Sequence, residues 1–176
     1  MNGRSFGSRA QHLSNSLRNR NIGDYSMPYH LAQINIARLV APMDDPRIKD
    51  FAQAIAAINL LAESSDGFLW RLKDETGNAT SIQVFDDPLL IVNMSVWESL
   101  EALQHYAFQS GHAQYLRRRR EWFETMTTPH LALWWIPEGH IPTLEEAKQR
   151  LAALEADGET AFAFTFRKVF PAPQLP

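Results

Sequence analysis

Between Tyr29 and Arg38 the side chains alternate: Ala32, Ile34 and Ile36 fall on one side, Leu31, Gln33 and Asn35 on the other. That two-residue period predicts a strand with one apolar and one mixed face. Pro42 ends it, and Asp44-Asp45-Pro46 has the acidic cap and first-turn proline of a helix start. Ile48, Phe51, Ala52, Ile55, Ile58 and Ala62 recur at intervals of three and four, predicting a helix over 46–63 that buries one stripe. After a break at Ser64 to Gly67, Phe68-Leu69-Trp70-Arg71-Leu72 predicts a second strand with Phe68, Trp70 and Leu72 on a shared face. Turn chemistry surrounds Gly77-Asn78, and Ser81 to Phe85 reads either as an edge strand or as a loop. Leu90 to Val96 is a third strand, apolar on both faces apart from Asn93 and Ser95.

Leu100, Leu103 and Ala107 predict a helix over 100–108, which Ser110-Gly111 interrupts. A further helix is expected from His112 to Met126, with Tyr115, Leu116, Trp122 and Phe123 on one broad stripe. Pro129 precedes a fourth strand, His130 to Ile136. Thr143-Leu144-Glu145-Glu146 has the form of a capping box, in which Thr143 receives the Glu146 N–H and the Glu146 carboxylate reaches back. That helix runs to about Ala156 and stops at Asp157-Gly158. Ala161 to Phe170, with Phe162, Phe164 and Phe166 alternating, predicts a last strand.

The element order begins as a split βαβ, ferredoxin-like unit, so the expected class is α+β: an antiparallel sheet with helices on one face. Several strands are nonetheless apolar on both sides, as where Trp134 and Ile136 oppose Leu133 and Trp135. The second apolar face needs a cover, and a second copy of the same sheet supplies one, which makes a homodimer the expectation.

Composition narrows the setting. The 176 residues and 45% apolar content suit one domain, expected over residues 28–176. Residues 1–27 hold four arginines against Asp24 and read as a flexible basic N-terminal tail. The whole chain carries −3, so the body is mildly acidic and nucleic acid is not an expected partner. No apolar run is long enough to span a membrane. Zero cysteines exclude disulfides and thiolate chemistry and fit a reducing, cytoplasmic location. No G-x-S-x-G, Walker loop, G-x-G-x-x-G or H-E-x-x-H pattern occurs.

A joint set of segments carries a family resemblance: Asn59 to Glu63, Gly67 to Arg71, Ser95 to Leu103, Arg117 to Trp122, Pro129 to Trp135 and Gly139 to Thr143. Together they resemble the uncharacterised bacterial DUF3291 family over residues 28–173. That family is similar to the dimeric α+β barrel superfamily, which includes antibiotic-biosynthesis-type and haem-degrading monooxygenases. The resemblance implies a cleft between sheet and helices that takes a small hydrophobic or aromatic molecule. It also places Asn35 at a position comparable to the asparagine that orients oxygen or substrate in such relatives. Bonding to neighbouring backbone or to a dimer partner is the alternative for Asn35. Tyr106 falls where some haem-degrading relatives have a pocket tryptophan. Their haem-ligating histidine would fall near Leu116, which cannot bind iron; His112, one turn earlier, substitutes only if the helix is displaced, and its alternative is a polar residue that starts the helix after Gly111.

Read from residue type, Arg119 is the member of the run Arg117 to Arg120 expected to lean inward between Tyr115 and Trp122. It would pair a substrate carboxylate or phenolate, or else a structural acid such as Glu63 or Glu98. Trp70, Tyr106 and Trp134 are the expected walls, drawn from 5 Trp, 4 Tyr and 10 Phe. Glu101, His105 and His112 would form a metal face only on an unbroken helix, so no metal site is assigned. The expectation is a small-molecule enzyme of the cofactor-independent monooxygenase kind, with Asn35, His112 and Arg119 as catalytic groups. The alternatives are a non-catalytic ligand carrier of the same fold and a haem-binding or haem-degrading monooxygenase.

Overall fold

The computed structural model describes residues 29–174. The expected tail at residues 1–27 and the first residue of the expected domain, Pro28, lie outside the described residues. In chain order the elements are β1 (Tyr29–Arg38), α1 (Lys49–Glu63), β2 (Phe68–Arg71), β3 (Leu90–Trp97), α2 (Leu100–Gln109), α3 (His112–Arg118), β4 (Leu131–Pro137) and α4 (Leu144–Asp157). The sheet is antiparallel in the order β2-β3-β1-β4. β1-α1-β2 is therefore a split βαβ unit with β3 in the gap, and the fold is the expected ferredoxin-like α+β arrangement.

Local chemistry starts each helix where the sequence marks it. Asp45 accepts the Arg47 N–H at 2.9 Å and Pro46 opens a 3-10 turn that leads into α1. Ser99 caps α2 through the Ala102 N–H at 3.1 Å, and Thr143 caps α4 through Glu146 at 3.1 Å. The reciprocal half of that capping box does not form. The Glu146 carboxylate instead accepts from Trp134 Nε1 at 2.8 Å and pairs His140 Nε2 at 2.8 Å and Arg150 at 3.3 Å. A buried indole N–H needs an acceptor, and Glu146 is the one above it.

The sheet has two covered faces. On one, Leu31, Trp97 and Leu133 pack with Ala62 of α1 and Leu103 of α2. On the other, Ala32, Ile34, Ile36, Val92, Met94, Val96, Trp134 and Ile136 pack under Ala147, Leu151 and Leu154 of α4. α1 and α2 thus sit on one face as expected, whereas α4 occupies the face that had been expected to need a second sheet. Ile34 and Trp134 are fully buried within a single chain. At roughly 1.5–3 kcal/mol for each large apolar side chain, this burial is available without a partner. The argument for a homodimer from an uncovered apolar face therefore fails.

Three further expectations change. A bulge at Leu69 separates Phe68 from Trp70, so Phe68 packs toward α1 and α2 while Trp70 and Leu72 join the opposite cluster. The helix expected over 112–126 ends at Arg118, followed by a 3-10 turn over Arg119–Glu121. There Trp122 O accepts from Val40 N at 2.9 Å and Phe123 bridges Leu39, because burying Trp122 against Leu39, Ala41 and Ile48 requires the chain to turn back onto β1. Ala161 to Phe170 forms no strand. Phe164 exchanges one pair of hydrogen bonds with Leu133, and the segment then turns back between Thr165 and Lys168 so that Phe164 and Phe170 pack together at 5.9 Å. Residues 81–85 are loop, with Val84 and Phe85 laid against the α4-side core.

Candidate functional site

The mixed face of β1 meets the two polar positions of β3. In register, Gln33 lies opposite Ser95, Asn35 opposite Asn93 and Leu31 opposite Trp97. Gln33 Nε2 donates to Asn93 Oδ1 at 2.6 Å and to Ser95 Oγ at 2.9 Å, and Ser95 Oγ also accepts from Trp97 Nε1 at 2.8 Å. A polar lane thus runs along β3 from exposed Asn93 to buried Trp97, bridged by Gln33 of β1, with Gln33 and Ser95 each 6% exposed. Buried amides and hydroxyls are costly unless paired, and here each is held by the next.

An aromatic column stands on the end of the lane. Tyr106 stacks on Trp97 at 5.0 Å, and the His112 ring lies 4.8 Å beyond Tyr106. Phe68 meets the edge of Trp97 at 5.3 Å. Burial pushes the Tyr106 phenol well above its usual range, against the opposing charge of Arg71. Burial lowers the His112 pKa, partly offset by the Ala107 carbonyl. The imidazole is then neutral near pH 7, Nδ1 donates to Ala107 O at 3.1 Å, and the Nε2 lone pair remains as base or ligand. Arg71, opposite Ser95 on β2, pairs Glu63 of α1 at 2.8 Å and donates to Gly77 O at 2.8 Å.

α1 covers part of this face. Its two ends dock: Ile48 just before it is fully buried and Ala62 is 7% exposed. Ile55 and Ile58, on the same helical stripe between them, are only half-buried, while Asn93 on the sheet below is exposed and Asn35 half-buried. The middle of the apolar α1 stripe is therefore less buried than its two ends, on the side of the sheet that carries the polar lane. The wide surface hollow at the start of α1, lined by Met43, Asp45, Lys49 and Gln53, contains none of these groups.

Of the expected site residues, Asn35, Tyr106 and His112 lie on this side of the sheet. Asn35 Nδ2 bonds the His130 carbonyl at 3.2 Å, the backbone alternative. Arg119 does not lean inward: it is exposed, with Nη1 on Leu116 O at 3.0 Å, and Glu63 is paired by Arg71 instead. The early end of α3 rotates Arg119 off the stripe. Trp70 and Trp134 line the α4-side core, with Trp134 wholly buried, so neither is a wall on the lane side. Glu101 and His105 are exposed on α2 while His112 opens a separate helix against Tyr106, so they share no face. Among the described residues no group of three or more His, Asp or Glu side chains could hold a metal. A haem, were one bound, would take His112 Nε2 as its protein ligand, with the Ala107 carbonyl orienting the ring through Nδ1.

Sequence reasoning missed Gln33, Asn93, Ser95 and Arg71. The available signal was the recurrence of polar residues two apart in otherwise apolar strands, at Gln33 and Asn35 and at Asn93 and Ser95.

A family model described as a domain of unknown function, DUF3291, matches residues 30–176. No curated protein matches the chain. Among solved structures, PA3566 from Pseudomonas aeruginosa is 14% identical with a TM-score of 0.42, covering 65% of this chain and 98% of that one. SnoaB from Streptomyces nogalater, titled a cofactor-independent oxygenase, is 15% identical with a TM-score of 0.42 and the same coverage, 65% and 98%. A protein from Nitrosomonas europaea, titled a putative antibiotic biosynthesis monooxygenase, is 10% identical with a TM-score of 0.42, covering 68% and 99%. Among the described residues no helix is long and apolar enough to cross a membrane.

Proposed function

Because the chain belongs to the DUF3291 family, described only as a domain of unknown function, we propose its activity from the lane side of the sheet. It binds a small hydrophobic or aromatic molecule between α1 and the sheet and oxidises it with molecular oxygen, without a resident cofactor. His112 Nε2 removes a proton from the bound molecule, and the resulting electron-rich anion reduces oxygen. In balanced form a substrate methylene and O2 become a carbonyl and water. Asn35, Ser95 and Asn93 lie along the strip where negative charge develops on the substrate, and Trp97, Tyr106, Ile55 and Ile58 provide apolar surface for its ring.

The observation that carries this reading is the hydrogen-bonded lane from Asn93 to Trp97 on the side of the sheet where the middle of the α1 stripe is only half-buried. Asn93 gives that lane an end open to solvent, from which a ligand can reach it. Oxygen uptake with an electron-rich aromatic ketone or phenol is the test: consumption should fall at least tenfold in His112→Ala while binding persists. Binding without uptake across such a panel would establish the carrier reading instead. A haem-dependent form would announce itself as a Soret band on haem titration that His112→Ala abolishes.

A further inference from the structure

α2 ends at Gln109 and α3 begins at His112, and Ser110 and Gly111 make the corner between them. A helix end leaves the carbonyls of its last turn without intrahelical partners. Here the residues that follow supply two. Ser110 Oγ donates to Tyr106 O at 2.5 Å, and the His112 ring reaches back to Ala107 O at 3.1 Å. The same Ser110 Oγ accepts the His112 backbone N–H at 3.1 Å. His112 is thus held to the last turn of α2 at two points, its amide through Ser110 and its ring directly.

A carbonyl oxygen can only accept, so the bond to Ala107 requires a hydrogen on Nδ1, and in the neutral ring Nε2 then carries the lone pair. An imidazole free in water favours the opposite tautomer, so this one is imposed by its surroundings. The Tyr106 ring of α2 lies against the imidazole at 4.8 Å, and a Cβ on Gly111 would stand 3.3 Å from Leu61 Cδ2, which sets the corner close against α1. Burial and the Ala107 carbonyl are what shift the His112 titration, with no charged side chain among the causes. Hydrogen bonds, and not an ion pair, therefore decide which nitrogen holds the proton.

We infer that Ser110 is a positioning residue for His112: by holding the His112 amide at the end of α2 it keeps Nδ1 on the Ala107 carbonyl and leaves the Nε2 lone pair on the far side of the ring. The tautomer is set in this way whether or not the proposed oxidation takes place. Only its effect on oxygen uptake rests on that reading.

The test reads the ring nitrogen NMR signals of isotope-labelled protein at about pH 7.5, where the imidazole is neutral, with His112→Gln identifying the resonances. In the wild type Nδ1 should be the protonated nitrogen. Ser110→Ala removes both hydroxyl bonds and should lower the ratio of Nδ1–H to Nε2–H by about two- to tenfold, the worth of one ordinary hydrogen bond. Ser110→Thr, which keeps the hydroxyl, should restore the ratio. Near-UV circular dichroism of the Trp97–Tyr106 stack checks that each variant is folded. An unchanged ratio in folded Ser110→Ala would overturn the assignment. A wild-type ring mainly in the Nε2–H form would overturn it without any variant. Oxygen uptake separates the two ideas: if the ratio shifts as expected in a protein whose wild type consumes no oxygen, the positioning stands and the proposed reaction falls.

Discussion

Gly67 makes the sharpest stability prediction. It joins α1 to β2 with φ +75°, and its carbonyl accepts the Glu98 N–H at 2.8 Å. A Cβ there would stand 2.6 Å from the Ala102 Cβ on α2, well inside contact distance. Gly67→Ala therefore suffers twice. The left-handed backbone costs roughly 1–2 kcal/mol for any L side chain. Forcing a helix to give way in a packed core costs roughly 1–3 kcal/mol more. Gly77, at φ +86°, and Gly139, at φ +80°, have nothing within 4 Å of the same added atom and isolate the first contribution. Urea denaturation should show a loss of roughly 2–5 kcal/mol for Gly67→Ala against roughly 1–2 kcal/mol for Gly77→Ala and Gly139→Ala, at unchanged m-value. Because α2 carries Tyr106, Gly67→Ala should also alter the near-UV circular dichroism of the Trp97–Tyr106 stack. Equal losses at all three glycines would refute the close approach of α2 to this turn.

Two other outcomes follow from burial. Since the His112 pKa is lowered on folding, the unfolded chain takes up the proton first. Stability is then full above pH 6.5 and drops as pH falls from there through the folded-state value. Subtracting the His112→Gln urea midpoints from those of the wild type at pH 7.5 and 5.5 should expose that loss, and a difference independent of pH would contradict it. Leu151→Ala, at a position 7% exposed on the sheet-facing side of α4, should cost about 2–5 kcal/mol in the same assay. The wild type should show no dimer held together through Ile34, Met94 and Trp134, and amide or side-chain protection of those residues that rises with protein concentration would overturn the packing of α4.

The fold was largely legible. Strict alternation in β1, the three-and-four spacing before Ala62 and the caps at Asp45, Ser99 and Thr143 are local signals with local causes, and the elements form where those signals lie. The failures share a different origin. Ala161 to Phe170 alternates like a strand, but its phenylalanines find one another across a turn instead of a neighbouring strand. Trp122 and Phe123 continue a helical stripe on paper, yet they bury more by folding back against Leu39 and Ile48. Of the residues expected to form the site, Asn35, Tyr106 and His112 lie on the α1 and α2 side of the sheet. Trp70 does not, because a one-residue bulge reverses the facing of a strand.

What the amino-acid order alone determined is whatever depends on near neighbours: periodicity, caps, breaks and the α+β succession of elements. The tertiary structure decided which apolar face α4 would cover, and with it whether a second chain was required. It also decided that Gln33 faces Ser95 and Asn35 faces Asn93. Those pairings join residues about 60 positions apart, and a strand's own pattern shows that a side chain is polar without showing which distant group will stand opposite. The hydrogen-bonded lane of Gln33, Asn93, Ser95 and Trp97 exists only once that register is set.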